Sequence, residues 1–244
     1  MIRVNPPALF LAILLAITTL QCTRPMRAPE AATDLSEVAE FRILAVLPTE
    51  DDLQNMLQKL EREPDNASLQ FETAMMYQML SPPDRWHYLD ASLELLEAAQ
   101  TEYAMHPGLL MYLGLVSAGR ALNPKVPLIQ KMGMARKGFR FMDESVQIDP
   151  DNFSLRLLRA KAELLAPAIL GRAKYLVEDH NFVIENMDDK ALNDGEYLMA
   201  LIYLGDYEYL HKKNKALGRQ KWQEAAALDS SYADVAVKRL ERYQ

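Results

Sequence analysis

Evenly spaced prolines restrict the fold of this 244-residue sequence more than any other feature. Pro64, Pro107 and Pro150 stand 43 residues apart each time, and Ser230 follows 80 residues after Pro150. A proline disfavours the α conformation of the residue before it, and an Asp or Asn that follows can cap the next helix. The spacing therefore predicts repeated units in which helices end and restart at these positions.

The composition favours helices as the content of each unit. Leu, Ala and Met together supply 81 residues, whereas the β-branched Val, Ile and Thr supply 26. Unbranched side chains keep more rotamer freedom in a helix than branched ones do. The apolar patterns predict paired helices over 66–80 and 86–105, 108–122 and 128–148, 153–166 and 172–186, and 193–210 and 215–228. A helix over 50–62, started by a capping box of Thr49 and Asp52, is expected before them, and a closing helix over 232–242 after them.

The second helices of two units share one template. Each has a small residue, a large residue four positions later and a second small residue three positions after that: Gly138, Met142 and Ser145 in one, and Gly218, Trp222 and Ala225 in the other. Ala74 and Ala160 occupy equivalent places in two first helices. This pattern resembles the tetratricopeptide repeat (TPR). The resemblance implies an all-α, right-handed α-α superhelix, a TPR-like solenoid of about four helical hairpins plus a closing helix, over residues 35–244.

The break between the third pair of helices carries a further resemblance. Leu164-Leu165-Ala166-Pro167-Ala168-Ile169-Leu170-Gly171-Arg172 is similar to the hairpin break of the T-component lipoproteins associated with TRAP transporters. That family is built from TPR-like hairpins. The resemblance implies an accessory subunit that binds a periplasmic solute-binding protein or relays a small ligand.

The N-terminus is predicted to direct export. Ala8 to Leu20 is an apolar run, too short to cross a bilayer but suited to the core of a signal peptide, so residues 1–21 are interpreted as an export signal. Thr19-Leu20-Gln21-Cys22 resembles the site at which bacterial lipoproteins are cleaved and acylated, which would place a lipid on Cys22. An incidental cysteine near an ordinary signal peptide or a short membrane anchor is the alternative. Residues 22–34 are expected to form a flexible tether.

Several classes of function are disfavoured. The formal net charge is −7, with acidic and basic residues mixed along the chain, so no surface for nucleic acid is expected. The single cysteine excludes an intramolecular disulfide and a cysteine-based zinc site. None of the four histidines belongs to a metal-binding signature, and Glu178-Asp179-His180 is interpreted as a solvated helix face. The sequence has no nucleophile elbow, phosphate loop or dinucleotide fingerprint, so neither a catalytic site, a metal nor a cofactor is expected. An envelope hydrolase would require a perturbed pair of carboxylates in a cleft.

Two clusters of residues admit more than one interpretation. The fourth unit is rich in aromatic residues, for which packing between hairpins is favoured over a recognition surface: Tyr197, Tyr203, Tyr207, Tyr209 and Trp222. One basic cluster is interpreted as a solvated helix face, with contact to anionic headgroups or to an acidic partner as the alternative: Lys125, Lys131, Arg136, Lys137 and Arg140.

The expected function is therefore binding without chemistry. We expect a lipid-anchored scaffold or adaptor on the periplasmic side of a bacterial membrane, with protein partners in the envelope and a small apolar ligand as a further occupant. In such a solenoid the first helices line a concave groove that can hold a peptide or a protein. The candidate partner-binding residues, placed by the pattern on the free side of their helices, are Gln70, Thr73 and Tyr77 in the first hairpin and Arg156, Arg159 and Glu163 in the third.

Overall fold

The computed structural model describes residues 41–81, 86–189 and 191–243, and all of them belong to one compact unit. The predicted signal, Cys22 and the tether lie outside these residues. The described part contains ten α-helices and no strand. They are α1 (Glu50–Arg62), α2 (Ala67–Leu80), α3 (Trp86–Ala99), α4 (Pro107–Arg120), α5 (Leu128–Ile148), α6 (Phe153–Leu164), α7 (Ala173–Asn186), α8 (Asp194–Asp206), α9 (Lys215–Ala226) and α10 (Ala233–Arg242).

The helices pack as four hairpins in series. The pairs α2 and α3, α4 and α5, α6 and α7, and α8 and α9 make the most extensive contacts, and first helices of neighbouring hairpins also touch. A single hairpin cannot bury all of its apolar surface between its own two helices. Each hairpin therefore buries its remaining apolar face against the next hairpin. The predicted all-α solenoid is confirmed.

Small residues allow the two helices of a hairpin to cross closely. A Cβ atom on Gly138 of α5 would lie 2.6 Å from the carbonyl oxygen of Gly114 in α4 and 2.8 Å from the nitrogen of Ala118. Met142 and Ser145 are fully buried beside this crossing. Because real Cβ atoms do not approach other atoms so closely, only glycine fits at Gly138 without a shift of one helix.

Asparagine side chains start four of the helices, and two of them, Asn66 and Asn152, follow the evenly spaced prolines as predicted. Asn66, Asn152, Asn193 and Asn214 each accept a hydrogen bond from the backbone nitrogen three residues later. The predicted capping box of Thr49 and Asp52 is also present. These bonds satisfy backbone donors that the first turn of a helix leaves unpaired.

Two predicted elements differ from the structure. The helix predicted to reach Met105 ends at Ala99, and residues 100–105 form turns, so the extra turn predicted there is wrong. The helix predicted over 193–210 becomes a π-helical turn at Tyr207–His211, after which Lys213 takes a positive φ of 61°. Local apolar patterns do not reveal either change, because both depend on how the segment packs on its neighbours.

An extended segment, residues 41–47, lies across the N-terminal ends of successive first helices, and we call it the strap. Asn152 at the start of α6 donates to the carbonyl oxygen of Phe41, and Asn193 at the start of α8 donates to that of Ile43. The hydroxyl of Tyr232, just before α10, donates to the carbonyl oxygen of Leu44. The helical array therefore holds an extended peptide, its own, along one edge.

Candidate functional site

The residues predicted to line a free groove are mostly buried. Thr73, Arg159 and Glu163 are 0–3% exposed, and Gln70 is 9% exposed. Thr73 donates to the carbonyl oxygen of Leu69, and Gln70 donates to that of Pro64. The predicted placement of these four residues on a free side of their helices is wrong, because that side is buried by packing against neighbouring helices. Tyr77 and Arg156 are half-buried, Tyr77 against the ring of Tyr88. Partner binding by the six residues stays a prediction.

The three predicted residues of the third hairpin belong to an ion-pair network between α5, α6 and α7. Arg159 donates to both carboxylate oxygens of Asp179, at 2.7 and 2.8 Å, and to Asp143 at 3.1 Å. Arg156 donates to Asp179 at 2.8 Å and to Glu178 at 2.6 Å. The network ties α6 to its hairpin partner α7 and to the preceding α5, which is an intramolecular role for these side chains.

Glu163 is the weakly compensated member of this network. Arg172 donates to its Oε1 at 2.6 Å, whereas Oε2 is buried and accepts no hydrogen bond from the described residues. Burial, followed by the nearby charge of Asp179, raises the pKa of Glu163 to about 8. The network contains three guanidinium groups and four carboxyl groups, so a proton on Glu163 leaves three carboxylates for three cations.

A hydrolase would require a perturbed carboxyl pair in a cleft, and Glu163 and Asp179 provide the pair but not the cleft. They form a carboxyl pair with one perturbed pKa, yet both side chains are 0% exposed and bound by arginines. A catalytic carboxylate must reach its substrate. In this position both carboxyl groups are held by arginines between α6 and α7.

The segment interpreted as a solvated face, Glu178-Asp179-His180, is buried at its second and third residues. His180 is 8% exposed, its ring stacks on that of Tyr207 with centroids 3.5 Å apart, and its Nδ1 shares a hydrogen bond with the hydroxyl of Tyr203. Burial, assisted by the charges of Lys212 and His211, lowers the pKa of His180 to about 4. Its solvated placement is therefore wrong, since the aromatic residues of the fourth hairpin extend to cover α7.

Those aromatic residues confirm the packing interpretation. Tyr203, Tyr207 and Trp222 are each at most 2% exposed, and Tyr209 lies against Trp222 with ring centroids 5.0 Å apart. Tyr197 is the partly exposed member, at 37%. A recognition surface built from the buried members would require the hairpins to separate.

An apolar pocket opens at the end of the first helices opposite to the strap. It has a volume of about 330 Å³ and lies between the last turns of α4 and α6 and the first half of α5. Leu115, Met132, Phe139 and Leu170 are among its lining residues. The strap contacts the N-terminal ends of α4, through Phe41 and Tyr112, and of α6, through Asn152. The pocket lies at the opposite end of the same two helices, where apolar surface is open to an occupant.

The pocket wall includes part of the hairpin break between α6 and α7. Pro167 and Leu170 line the pocket, Ala168–Leu170 forms a single 3₁₀ turn, and Gly171 has a φ of 66°. A left-handed φ of this kind favours glycine because it has no Cβ. The break therefore shapes the pocket, although its sequence alone did not indicate a cavity.

One of the lining residues is Lys161, which is charged. Its Nζ lies 3.4 Å from the Sδ of Met199, and burial lowers the pKa of Lys161 to about 8. Among the described residues, the other charged member of the lining is Lys131, and none of the lining residues carries a carboxyl group. The pocket can therefore accept an apolar group, with any polar end being neutral or anionic.

The described residues contain neither a metal cluster nor a membrane-spanning helix. Over 41–81, 86–189 and 191–243, no three His, Cys, Asp or Glu side chains are placed to hold a metal ion together. No helix within those ranges has the length and apolar character needed to cross a bilayer.

Comparison with known proteins adds no relative. No protein-family model, curated protein or solved structure matches this chain.

Proposed function

We propose that this chain is a non-enzymatic, TPR-like adaptor of the bacterial envelope, anchored through a lipid on Cys22, that holds an apolar part of a protein partner in the apolar pocket. The pocket is the observation that carries this proposal. Its lining is almost entirely apolar, and its rim includes the exposed side chains of Leu122, Leu128 and Leu165. An open apolar concavity is where a partner's side chain gains most by leaving water.

The role of the helical array in this proposal is to keep the pocket in shape. The close crossing at Gly114 and Gly138 fixes α4 against α5, and the ion pairs of Arg159 and Arg172 fix α6 against α5 and α7. A preformed pocket loses little conformational entropy when a partner binds. The array therefore contributes to binding without contacting the partner.

The test is affinity capture from solubilised envelopes with the full chain and two matched variants. Leu165→Gln changes an exposed rim residue of the pocket, and Val177→Gln changes an exposed residue of α7 that does not line it. We expect a partner to be recovered by the wild type and by Val177→Gln and lost, by about tenfold or more, with Leu165→Gln. Equal recovery by both variants would remove the pocket from the proposal.

A second function is favoured by one observation, the position of the hairpin break. The segment that resembles the T-component lipoproteins forms a pocket wall at Pro167 and Leu170. We propose as the alternative an accessory T-component of a TRAP-type transporter, which relays a small apolar ligand through this pocket. The test is native mass spectrometry of the purified full chain and of Ala135→Phe, which fills the pocket. A co-purifying small molecule that is present in the wild type and absent from Ala135→Phe would support this alternative over a protein partner.

A further inference from the structure

The pocket end of the molecule is unusually apolar on its outer surface. Of the twelve large apolar side chains that the described residues expose, five lie here: Leu122, Leu128, Ile129, Leu165 and Ile169. Ile129 is 81% exposed, and Leu122 and Leu165 are 64% and 65% exposed. Three of the five line the pocket mouth, and the other two adjoin lining residues in the chain. All five therefore belong to the pocket end of the fold, and together we call them the apolar patch, surface that is costly to leave in water.

Basic residues lie close to this patch in the chain. Lys125 precedes α5, Lys131 lines the pocket and Arg136 is exposed on α5. No carboxylate of the described residues forms an ion pair with any of these three, whereas Lys137 lies 3.8 Å from Glu97 and Arg140 lies 3.9 Å from Glu144. Three cationic side chains at this end are therefore available to an external anion.

The charge of the whole chain makes this end distinctive. Residues 103–142, which contain α4 and most of α5, hold six Lys and Arg residues and neither Asp nor Glu, in a chain of formal net charge −7. A basic region in an otherwise acidic molecule is attracted to an anionic surface, and that attraction orients the molecule. The exposed apolar patch then reaches that surface first.

We propose that the pocket end docks on an anionic phospholipid bilayer, with Ile129 and its apolar neighbours entering the headgroup region and with Lys125, Lys131 and Arg136 contacting lipid phosphates. Apolar side chains that insert at the boundary of headgroups and acyl chains, flanked by basic residues, are the chemistry of a peripheral membrane contact. This proposal goes beyond the proposed function, because it assigns a bilayer, and not only a protein partner, to this end of the fold. The two proposals share the pocket-rim residues Leu122, Leu128 and Leu165.

The expected strength of binding to an anionic bilayer follows from the three available cationic side chains. Each Lys or Arg close to an anionic bilayer strengthens binding about fivefold, so the three together contribute about a hundredfold. The contribution falls at high ionic strength, because salt screens charges beyond about a Debye length. The apolar patch alone would bind neutral and anionic lipids alike, so the preference for anionic lipid reports the basic residues.

The test is a position-specific label on the full chain. Cys22→Ser removes the single thiol of the chain. Ile129→Cys then carries an environment-sensitive NBD label on the proposed surface, and Ile184→Cys carries the same label on α7 as a matched exposed control. Both proteins carry the same N-terminal segment, so vesicle contacts made by that segment are common to the two. The vesicles contain equal parts of phosphatidylglycerol and phosphatidylcholine, or phosphatidylcholine alone.

We expect the label at position 129 to shift to the blue on the anionic vesicles and to be quenched by a lipid-borne quencher, with no change at position 184. Neutralising Lys125, Lys131 and Arg136 together to Gln should lower the bilayer partition of the label at 129 by about a hundredfold. An unchanged label on anionic vesicles, or an equal shift on neutral vesicles or at position 184, would overturn the proposal. A shift that requires an added envelope protein would overturn it as well and assign the patch to a protein partner.

Discussion

Removal of the Arg159 side chain tests whether the buried ion network serves the fold or a partner. In Arg159→Leu, Asp179 loses two charge-assisted hydrogen bonds and keeps one, from Arg156, while its side chain stays 0% exposed. Asp143 keeps its two bonds from Arg172. Breaking a buried ion pair on one side costs about 3–5 kcal/mol, and the bond that Asp179 retains favours the lower value, about 3 kcal/mol.

The assay is thermal and urea unfolding followed by circular dichroism at neutral pH. For a domain of this size a loss of 1 kcal/mol lowers Tm by about 2–4 °C, so Arg159→Leu should lower it by about 6–12 °C. Arg136→Leu, at an exposed and unpaired arginine, is the control and should change the stability by less than about 0.5 kcal/mol.

The double variant Arg159→Leu, Asp179→Leu completes the test. It removes both partners, and it leaves Arg156 paired with Glu178 and Asp143 paired with Arg172. Replacing both members of a buried pair by apolar groups is often close to neutral, so the double variant should recover at least half of the loss. A Tm of Arg159→Leu within about 2 °C of the wild type, or a double variant less stable than the single one, would refute this reasoning. Retained stability combined with loss of a captured partner would return Arg159 to the predicted binding role.

Three further perturbations test the network, the helix crossing and the strap. Because the pKa of Glu163 is raised in the folded protein, folding favours its protonated form. Its contribution to the free energy of unfolding is therefore complete below about pH 4.5 and falls as the pH rises toward 8, by up to about 1.4 kcal/mol per pH unit. Glu163→Gln should remove this dependence in urea unfolding measured at several pH values, and the same pH dependence in variant and wild type would contradict it. Gly138→Ala should destabilise the fold by about 1–3 kcal/mol, because its Cβ overpacks the helix crossing. Gly133→Ala, whose Cβ would have nothing within 4 Å, should stabilise the fold by about 0.5–1 kcal/mol. Equal effects of the two substitutions in thermal unfolding would refute the close crossing. Asn152→Ala removes a helix cap and a contact with the strap, so it should lower the free energy of unfolding by about 2 kcal/mol and speed hydrogen exchange in the strap. Asn66→Ala removes a cap alone, so it should cost about 1 kcal/mol and leave exchange in the strap unchanged. Equal exchange rates in the strap of the two variants would contradict the contact of Asn152 with the strap.

The sequence by itself determined the helices and the order in which they pair. The observed span of α5, Leu128–Ile148, is the one predicted, and α6 begins at the predicted Phe153. These features depend on interactions between residues close in the chain: apolar side chains recur every three or four positions, and Asn152 caps α6 by a bond to a nitrogen three residues away.

The tertiary structure decided which polar residues are buried and where a pocket remains. Arg159 lies 20 residues from Asp179, and Asn152 lies 111 residues from the strap carbonyl that it binds, so no local pattern contains either contact. A helical periodicity shows which residues share a face, but several faces of a helix in an array meet neighbours. Burial of Arg159 and His180, like the opening between α4, α5 and α6, therefore depends on the three-dimensional arrangement of hairpins that are distant in the chain.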